Sequence, residues 1–396
     1  MAGRNFLFVP GPTNIPDRIL RSMTVAMEDH RSSKFPELTR SLFPDLMRVF
    51  GCEQGQVFIF PTTGTGAWEA ALANTLSPGE RVLAPRFGQF SHLWIEMMQR
   101  LGLQVEVIEC EWGEGAPEAE IGRILRADDA HRIRGEIARH PGGRLVVHDH
   151  HAADAVSSLG SIEFRMSEWR VDLAVTGSQK GLMLPAGLGI VCASPKALAA
   201  AKDAKCARAF FSFADMQRTN GEGYFPYTPN LPLLYGLRES LDMLLAEGLA
   251  NVFARHNRLA SGVREAVAAW GLGLCCKELR WRSDTVSAVT LPPEINGAHV
   301  VDVAFRRYNL ALGAGLARVA GKVFRIGHLG DLNELMLLGA LAGTEMAMAD
   351  VGVKIEPGSG VGAAQAYWRR TDPVPKKRVA RSEVLYASHS AGSINA

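Results

Sequence analysis

Three things are scarce in this 396-residue chain, and each scarcity removes a class of function. Paired cysteines come first: the six present are scattered, none forms a C-x-x-C pair, and the adjacent Cys275 and Cys276 are badly placed to bond each other. That excludes a disulfide framework and predicts buried thiols in a reducing cytoplasm. An excess of one charge is also missing, since 43 Lys and Arg stand against 41 Asp and Glu, a formal net charge of +2. A general polyanion binder is thereby excluded, and no nucleic-acid partner is expected. No apolar run approaches membrane-spanning length, so no membrane partner is expected either. The opening run Phe6-Leu7-Phe8-Val9 is too short for the core of a secretory leader. What is left is an ordinary globular composition, 47% hydrophobic and 21% charged, in a length that holds two domains with sizeable cores.

The chain reads as strands alternating with helices. An arm, Val9-Pro10-Gly11-Pro12-Thr13-Asn14-Ile15-Pro16, is barred from helix by three prolines, and its apolar flank predicts that it lies pinned against the body. A helix over 35–49 precedes a buried strand at 57–60, after which Pro61-Thr62-Thr63-Gly64-Thr65-Gly66 opens an alanine-rich helix. Strand, Gly/Thr turn, helix is the geometry in which free amide N–H groups and the helix dipole meet a phosphate. The turn lacks both the P-loop lysine and the dinucleotide glycine spacing, which disfavours NTP and NAD. Further strands fall at 81–84 and 104–108. The pattern predicts an α/β fold. A large, mostly parallel sheet domain with the N-terminal arm spans 1–249, a smaller C-terminal α/β domain spans 250–366, and a basic, then polar tail spans 367–396.

The stretch Leu173 to Met183 stands out. A short apolar run ends in a polar turn that carries one lysine, Lys180, followed by Gly181. A lysine at the mouth of a buried strand can lose its proton and become a nucleophile toward aldehydes. Ligands of parallel sheets gather at the carboxyl ends of strands, where the Gly64 to Gly66 turn, Phe87 and Lys180 all fall. Upstream, His148-Asp149-His150-His151-Ala152-Ala153-Asp154 gathers three histidines and two aspartates. Adjacent histidines in a short loop converge poorly on an ion, and no second cluster supports them, so no metal is expected.

Thr176-Gly177-Ser178-Gln179-Lys180-Gly181, with Pro10-Gly11-Pro12 and Thr63-Gly64-Thr65-Gly66, resembles the class V, fold-type I aminotransferases that use pyridoxal 5'-phosphate. Phe225-Pro226-Tyr227-Thr228-Pro229 and the stretches 307–313 and 325–331 look like the serine–glyoxylate branch of that family. Matching stretches cover 5–110 and 154–365. The resemblance implies amino transfer from L-serine to glyoxylate, giving hydroxypyruvate and glycine. Alanine–glyoxylate and serine–pyruvate exchange are the alternatives. It also implies small amino-acid and 2-oxo-acid substrates and a homodimer.

By position, the resemblance gives Lys180 the covalent hold on the cofactor and the transfer of the Cα proton. Thr65, Gly66, Ala67 and Gln179 would bind the phosphate, Phe87 would stack on the pyridine ring, and Asp154 would pair with its nitrogen. Arg325 would hold the substrate carboxylate in a two-pronged fork. Thr228, with a tyrosine of its loop, would reach the phosphate of the neighbouring subunit. Read singly, Asp154 equally caps the turn at Ser157-Ser158, and Arg325 equally makes a domain-bridging ion pair. A desulfurase on the same cofactor would need a mobile cysteine near the lysine, whereas Cys192 falls on a buried strand.

One segment departs from the family pattern. There, a Val-Val-His strand is followed by an Asn-Glu-Thr-x-Thr-Gly turn, a helix and a further strand before the aspartate. Here Val146-Val147-His148 is followed almost at once by Asp154, with Asp149 and His150 in place of Asn-Glu. A crossover of ~25 residues is absent, and parallel strands cannot be joined by much less than a dozen. The expectation is either a sheet that has lost a strand or an altered reading of the gene, and either one offers a catalytically impaired homologue as the alternative.

Overall fold

The computed structural model describes residues 5–127, 144–147 and 151–371. Its strands in chain order are β1 (Phe6–Phe8), β2 (Gln56–Phe60), β3 (Arg81–Arg86), β4 (Gln104–Glu109), β5 (Arg144–Val147) and β6 (His151–Asp154), then β7 (Leu173–Gly177), β8 (Gly189–Ala193), β9 (Gly273–Leu274), β10 (Val286–Thr290), β11 (Leu310–Ala314) and β12 (Val323–Gly327). The helices are α1 (Asp17–Met23), α2 (Phe35–Phe50), α3 (Gly64–Thr75), α4 (Gln89–Arg100), α5 (Glu118–Ala127) and α6 (Pro195–Ala200), then α7 (Phe213–Asn220), α8 (Leu231–Glu247), α9 (Leu249–Ala269), α10 (Gly297–Tyr308), α11 (Glu334–Asp350) and α12 (Ser359–Arg370). No described helix is long and apolar enough to cross a membrane.

Strands 2 to 8 form one sheet in the order β2-β8-β7-β6-β5-β3-β4. Its central strands are apolar on both faces, and the period of two divides their side chains between two cores. Val57, Ile59, Ala174, Ile190 and Cys192 point to a layer that holds Phe35, Leu42 and Leu46 of α2 and Leu234 and Leu237 of α8. Phe58, Phe60, Leu173, Val175 and Val191 point the other way, onto Trp68 of α3, Trp94 of α4 and Phe213 of α7. The second sheet runs β1-β11-β12-β10-β9 and packs Val289, Leu312 and Phe324 against Val263 of α9, Val300 of α10 and Leu337 of α11. Strand β1 of the arm pairs in parallel with β11, so the arm belongs to the second sheet and also reaches the first.

The segment before Asp154 corrects the expectation of a lost strand. The sheet keeps seven strands, but β5 enters reversed: it is antiparallel to β3 and to β6. Only residues 148–150 separate β5 from β6. An antiparallel pair needs no crossover, so the short connection is stereochemically sufficient. Strand β6 still runs parallel to β7, with Asp154 opposite Val175, and this keeps the aspartate at the end of the strand where the lysine turn begins. Asp149 and His150, like the side chain of His151, lie outside the described residues.

The expected tail boundary at 367 also needs correction. Helix α12 continues to Arg370, and Trp368 lies in a notch on α9 where a side chain at Gly262 would overlap its indole ring. Trp368 Nε1 donates to the Arg258 carbonyl at 3.0 Å, while Arg258 Nη2 and Nε donate to the carbonyls of Trp368 and Thr371 at 2.8 and 3.0 Å. Residues 372–396 of the expected tail lie outside the described residues.

Candidate active site

Strand β7 is buried at every residue and ends at Gly177, where the chain turns. Ser178 pins that turn from within: its hydroxyl donates to the Pro185 carbonyl at 2.7 Å and accepts the Leu188 N–H at 3.1 Å. The carbonyl of Lys180 accepts the Met183 N–H at 2.9 Å and the Thr13 hydroxyl at 3.4 Å. Lys180 Nζ donates to the Pro10 carbonyl. Gly11, at φ +105°, lets the arm come this close, because a Cβ there would stand 2.5–2.7 Å from Cδ, Nζ and Cε of Lys180. The pinned arm is therefore the wall against which the lysine rests.

The phosphate-type turn lies beside it. Thr63, the extended N-cap of α3, makes no side-chain cap, and the first turn holds no acidic residue. The first bonded amide is that of Ala67, which donates to the Thr63 carbonyl at 3.0 Å. The N–H groups of Gly64, Thr65 and Gly66 have no acceptor among the described residues, as expected of a helix start without a cap. Close packing explains the glycines: a Cβ on Gly64 would stand 2.7 Å from Val156 Cγ2, and one on Gly177 would stand 3.2 Å from the Gly64 nitrogen and 2.8 Å from Gln179 Oε1. That Gln179 oxygen is buried with no partner among the described residues. Turned over, the same amide presents its NH2 to this space. Three open amides, the Thr65 hydroxyl and an unpartnered side-chain amide at a helix N-terminus are donors suited to a phosphate.

Asp154 is buried at the end of β6 and accepts the Val156 N–H at 2.9 Å, so it does cap the turn that follows. The same turn places Val156 against Gly64, which ties the carboxylate to the phosphate-type turn. Phe87 follows β3, half-buried, with its N–H on Ser91 Oγ at 3.1 Å. Arg325 sits in the middle of β12, opposite Ala288 and Gly313. Its Nε donates to the Ala314 carbonyl at 2.8 Å, and no carboxylate pairs with it among the described residues. Burial lowers its pKa, yet a guanidinium at neutral pH stays charged. A Cβ on Gly313 would lie 2.9 Å from Pro10 Cδ and 3.2 Å from Arg325 Nε, so Pro10 touches the lysine with its carbonyl and the arginine's strand with its ring.

The structure thus brings Lys180 and Arg325 to the arm, and joins Gln179 and the turn after Asp154 to the Gly64–Gly66 turn through Gly177 and Val156. Thr228 is different: it is exposed and makes no hydrogen bond among the described residues, while Tyr227 beside it bonds Asp215 at 3.2 Å and stacks on Phe210. Sequence reasoning placed the arm against the body but missed that Pro10, Gly11 and Thr13 touch the lysine. The signal was the glycine between two prolines, a spacing that marks close backbone approach as well as a turn.

A seven-stranded sheet in which β2, β3, β4, β6 and β7 run one way and β5 and β8 the other, with a lysine beyond its fifth aligned strand, and a second α/β layer bearing an arginine, has the fold-type I architecture of pyridoxal-phosphate aminotransferases. Solved structures share it. The ureidoglycine–glyoxylate aminotransferase of Bacillus subtilis superposes with a TM-score of 0.83 at 24% identity, covering 93% of this chain and 99% of that one. An alanine–glyoxylate aminotransferase from Nostoc sp. superposes with a TM-score of 0.79 at 27% identity, covering 88% and 96%. The family model for class-V aminotransferases matches residues 6–320, and the chain belongs to that family.

Two curated relatives are similar along nearly their whole length. The serine–glyoxylate aminotransferase of Methylorubrum extorquens is 55% identical, over 94% of this chain and 98% of the relative. The L-aspartate–glyoxylate aminotransferase of Paracoccus denitrificans is 48% identical, over 96% and 100%. The first match runs over 395 residues yet takes in only 94% of these 396, so the relative holds residues within the matched span that this chain lacks. That agrees with the shortened segment before Asp154.

Proposed function

We propose that this chain transfers the amino group of L-serine to glyoxylate, giving hydroxypyruvate and glycine, with pyridoxal 5'-phosphate as its bound group. The observation that carries the reading is the placement of Lys180, held by the arm between the open amides of α3 and the carboxylate-free Arg325. Bound there, the cofactor would supply an electrophilic carbon and an electron-withdrawing ring. Thr65, Gly66, Ala67 and Gln179 would hold its phosphate, and Phe87 would stack on its ring. Asp154 keeps a proton on the ring nitrogen, which preserves the ring's pull on electrons. Lys180 binds the cofactor in the resting enzyme and afterwards carries the proton that leaves Cα. Arg325 fixes the substrate carboxylate, so the Cα–H bond is presented to the lysine.

A single carboxylate clamp beside a wall of glycine and proline suits substrates with small side chains. Thr228 and Tyr227 serve the site of a second copy in a homodimer, and the enzyme works in the cytoplasm. The test is hydroxypyruvate formation from L-serine and glyoxylate by the cofactor-loaded chain, with L-alanine and L-aspartate as competing donors. Lys180→Ala is expected to abolish turnover. Turnover with L-aspartate and not L-serine would replace the donor, and turnover with no donor would leave the impaired-homologue reading standing. Gel filtration is expected to give a dimer.

A further inference from the structure

Arg255 and His256, neighbours on α9, grip the two polar groups of one residue in another element, Gly330. Arg255 Nη1 donates to the Gly330 carbonyl at 2.9 Å, and Glu247 holds the guanidinium at 2.7 and 2.9 Å. The Gly330 N–H donates to His256 Nε2 at 3.1 Å. His256 Nδ1 faces the Val252 carbonyl at 2.7 Å, and a carbonyl can only accept. Nδ1 therefore carries the hydrogen, and Nε2 is bare. The ring is fixed in one neutral form, with its acceptor aimed at Gly330.

The other side of Gly330 faces the lysine loop. Its Cα, at φ +94°, lies where an added Cβ would meet Met183 Cγ at 3.4 Å and Thr13 Cβ at 3.5 Å. Met183 and Thr13 are the two residues that bond the Lys180 carbonyl. Met183 itself sits at φ +58°, a conformation that a side chain of its kind rarely adopts without support. Gly330 also lies five residues beyond Arg325 on the same run of chain.

We infer that His256, with Arg255, is a positioning residue: through Gly330 it braces the Lys180–Met183 turn and sets the separation of Lys180 from Arg325. This rests on the transamination reading for its effect on rate, but not for its structural content. It touches neither substrate nor cofactor. Its bond to Gly330 has two properties that simple packing lacks: it needs an acceptor at one point in space, and it acts on a loop in another element.

The experiment compares His256→Leu and His256→Gln in the full, cofactor-loaded chain by hydrogen–deuterium exchange. Gln can set its amide oxygen where Nε2 stands, and Leu cannot. Exchange over 178–184 is expected to rise at least threefold in the Leu variant and to return near wild type in the Gln variant, with helix 35–50 unchanged. Equal exchange over 178–184 in wild type and the Leu variant would overturn the inference, as would Gln behaving like Leu. Should the Leu variant fail to fold, Arg255→Met decides the matter by the same readout. Steady-state kinetics add a second criterion: kcat falls about tenfold in the Leu variant with KM for glyoxylate within twofold, because the clamp survives while the lysine is misplaced. Wild-type turnover decides the transamination reading separately, since the exchange experiment uses no substrate.

Discussion

At the scale of single residues, the site depends on close approaches. Gly11→Ala would drive a methyl group into the Lys180 side chain and strain a φ of +105°. We expect kcat to fall at least tenfold while KM for glyoxylate changes little, measured by steady-state turnover; an unchanged kcat would show that the arm is not the lysine's wall. The buried histidines set an acid limit on stability. Burial pushes His256 down to about 4 and His328 to about 3, from an ordinary value of 6.5. Arg255, Glu247, Asp284 and His328 face His256, while Arg264, Asp284 and His256 face His328. Each folded-state pKa lies below the unfolded one, so between these values the unfolded chain binds more protons. Stability therefore declines as pH falls from 6.5 toward 4, by up to about 1.4 kcal/mol per pH unit for each ring. Thermal melts across that range should show the slope, and His256→Gln should remove about half of it. Lys180 and the Gly64–Gly66 turn stand out in the sequence by spacing and residue type, whereas Gln179 came in only with the family resemblance. The Pro10 carbonyl and His256 were not legible, since a backbone oxygen and a lone histidine leave no pattern.

At the scale of elements, strands were the most readable features: short apolar runs at 57–60, 81–84 and 104–108 became β2, β3 and β4 within a residue or two. Helix α12 overruns the expected boundary, which gives its residues 367–370 to the tail. Its first turn, Ser359-Gly360-Val361-Gly362, carries two glycines, which weaken a helix, and tertiary bonds override that preference. The source is Glu345 on α11, almost wholly buried, whose carboxylate accepts the N–H groups of Gly358, Gly360 and Val361 at 2.8, 2.8 and 3.2 Å and the Trp270 indole at 2.8 Å. A buried carboxylate supplies the N-terminal cap from outside the helix. Glu345→Ala leaves those donors without partners and should lower unfolding free energy by about 3 kcal/mol in urea titrations. A change below about 0.5 kcal/mol would mean the helix holds itself.

At the scale of the whole molecule, alternation of strand and helix announced an α/β protein, and the two-sided burial of β7 and β8 bears that out. Non-local pairings were out of reach. Nothing near Phe6–Phe8 reveals that it lies beside Leu310–Leu312, some 300 residues away. The direction of β5 was hidden for a related reason: a missing crossover forbids a parallel neighbour but does not say which strand turns round. The reversal has a consequence for the order of assembly. A parallel neighbour docks only after a helix has been threaded between the strands, whereas 144–147 and 151–154 meet across three residues. Closing so short a loop costs the least entropy of any pairing in the large sheet, and local pairings speed folding. In pulse-labelled refolding, amides of 151–154 should gain protection before those of 189–193; the reverse order would refute this. The stretch where the chain departs most from its family would then be the place where its central sheet begins.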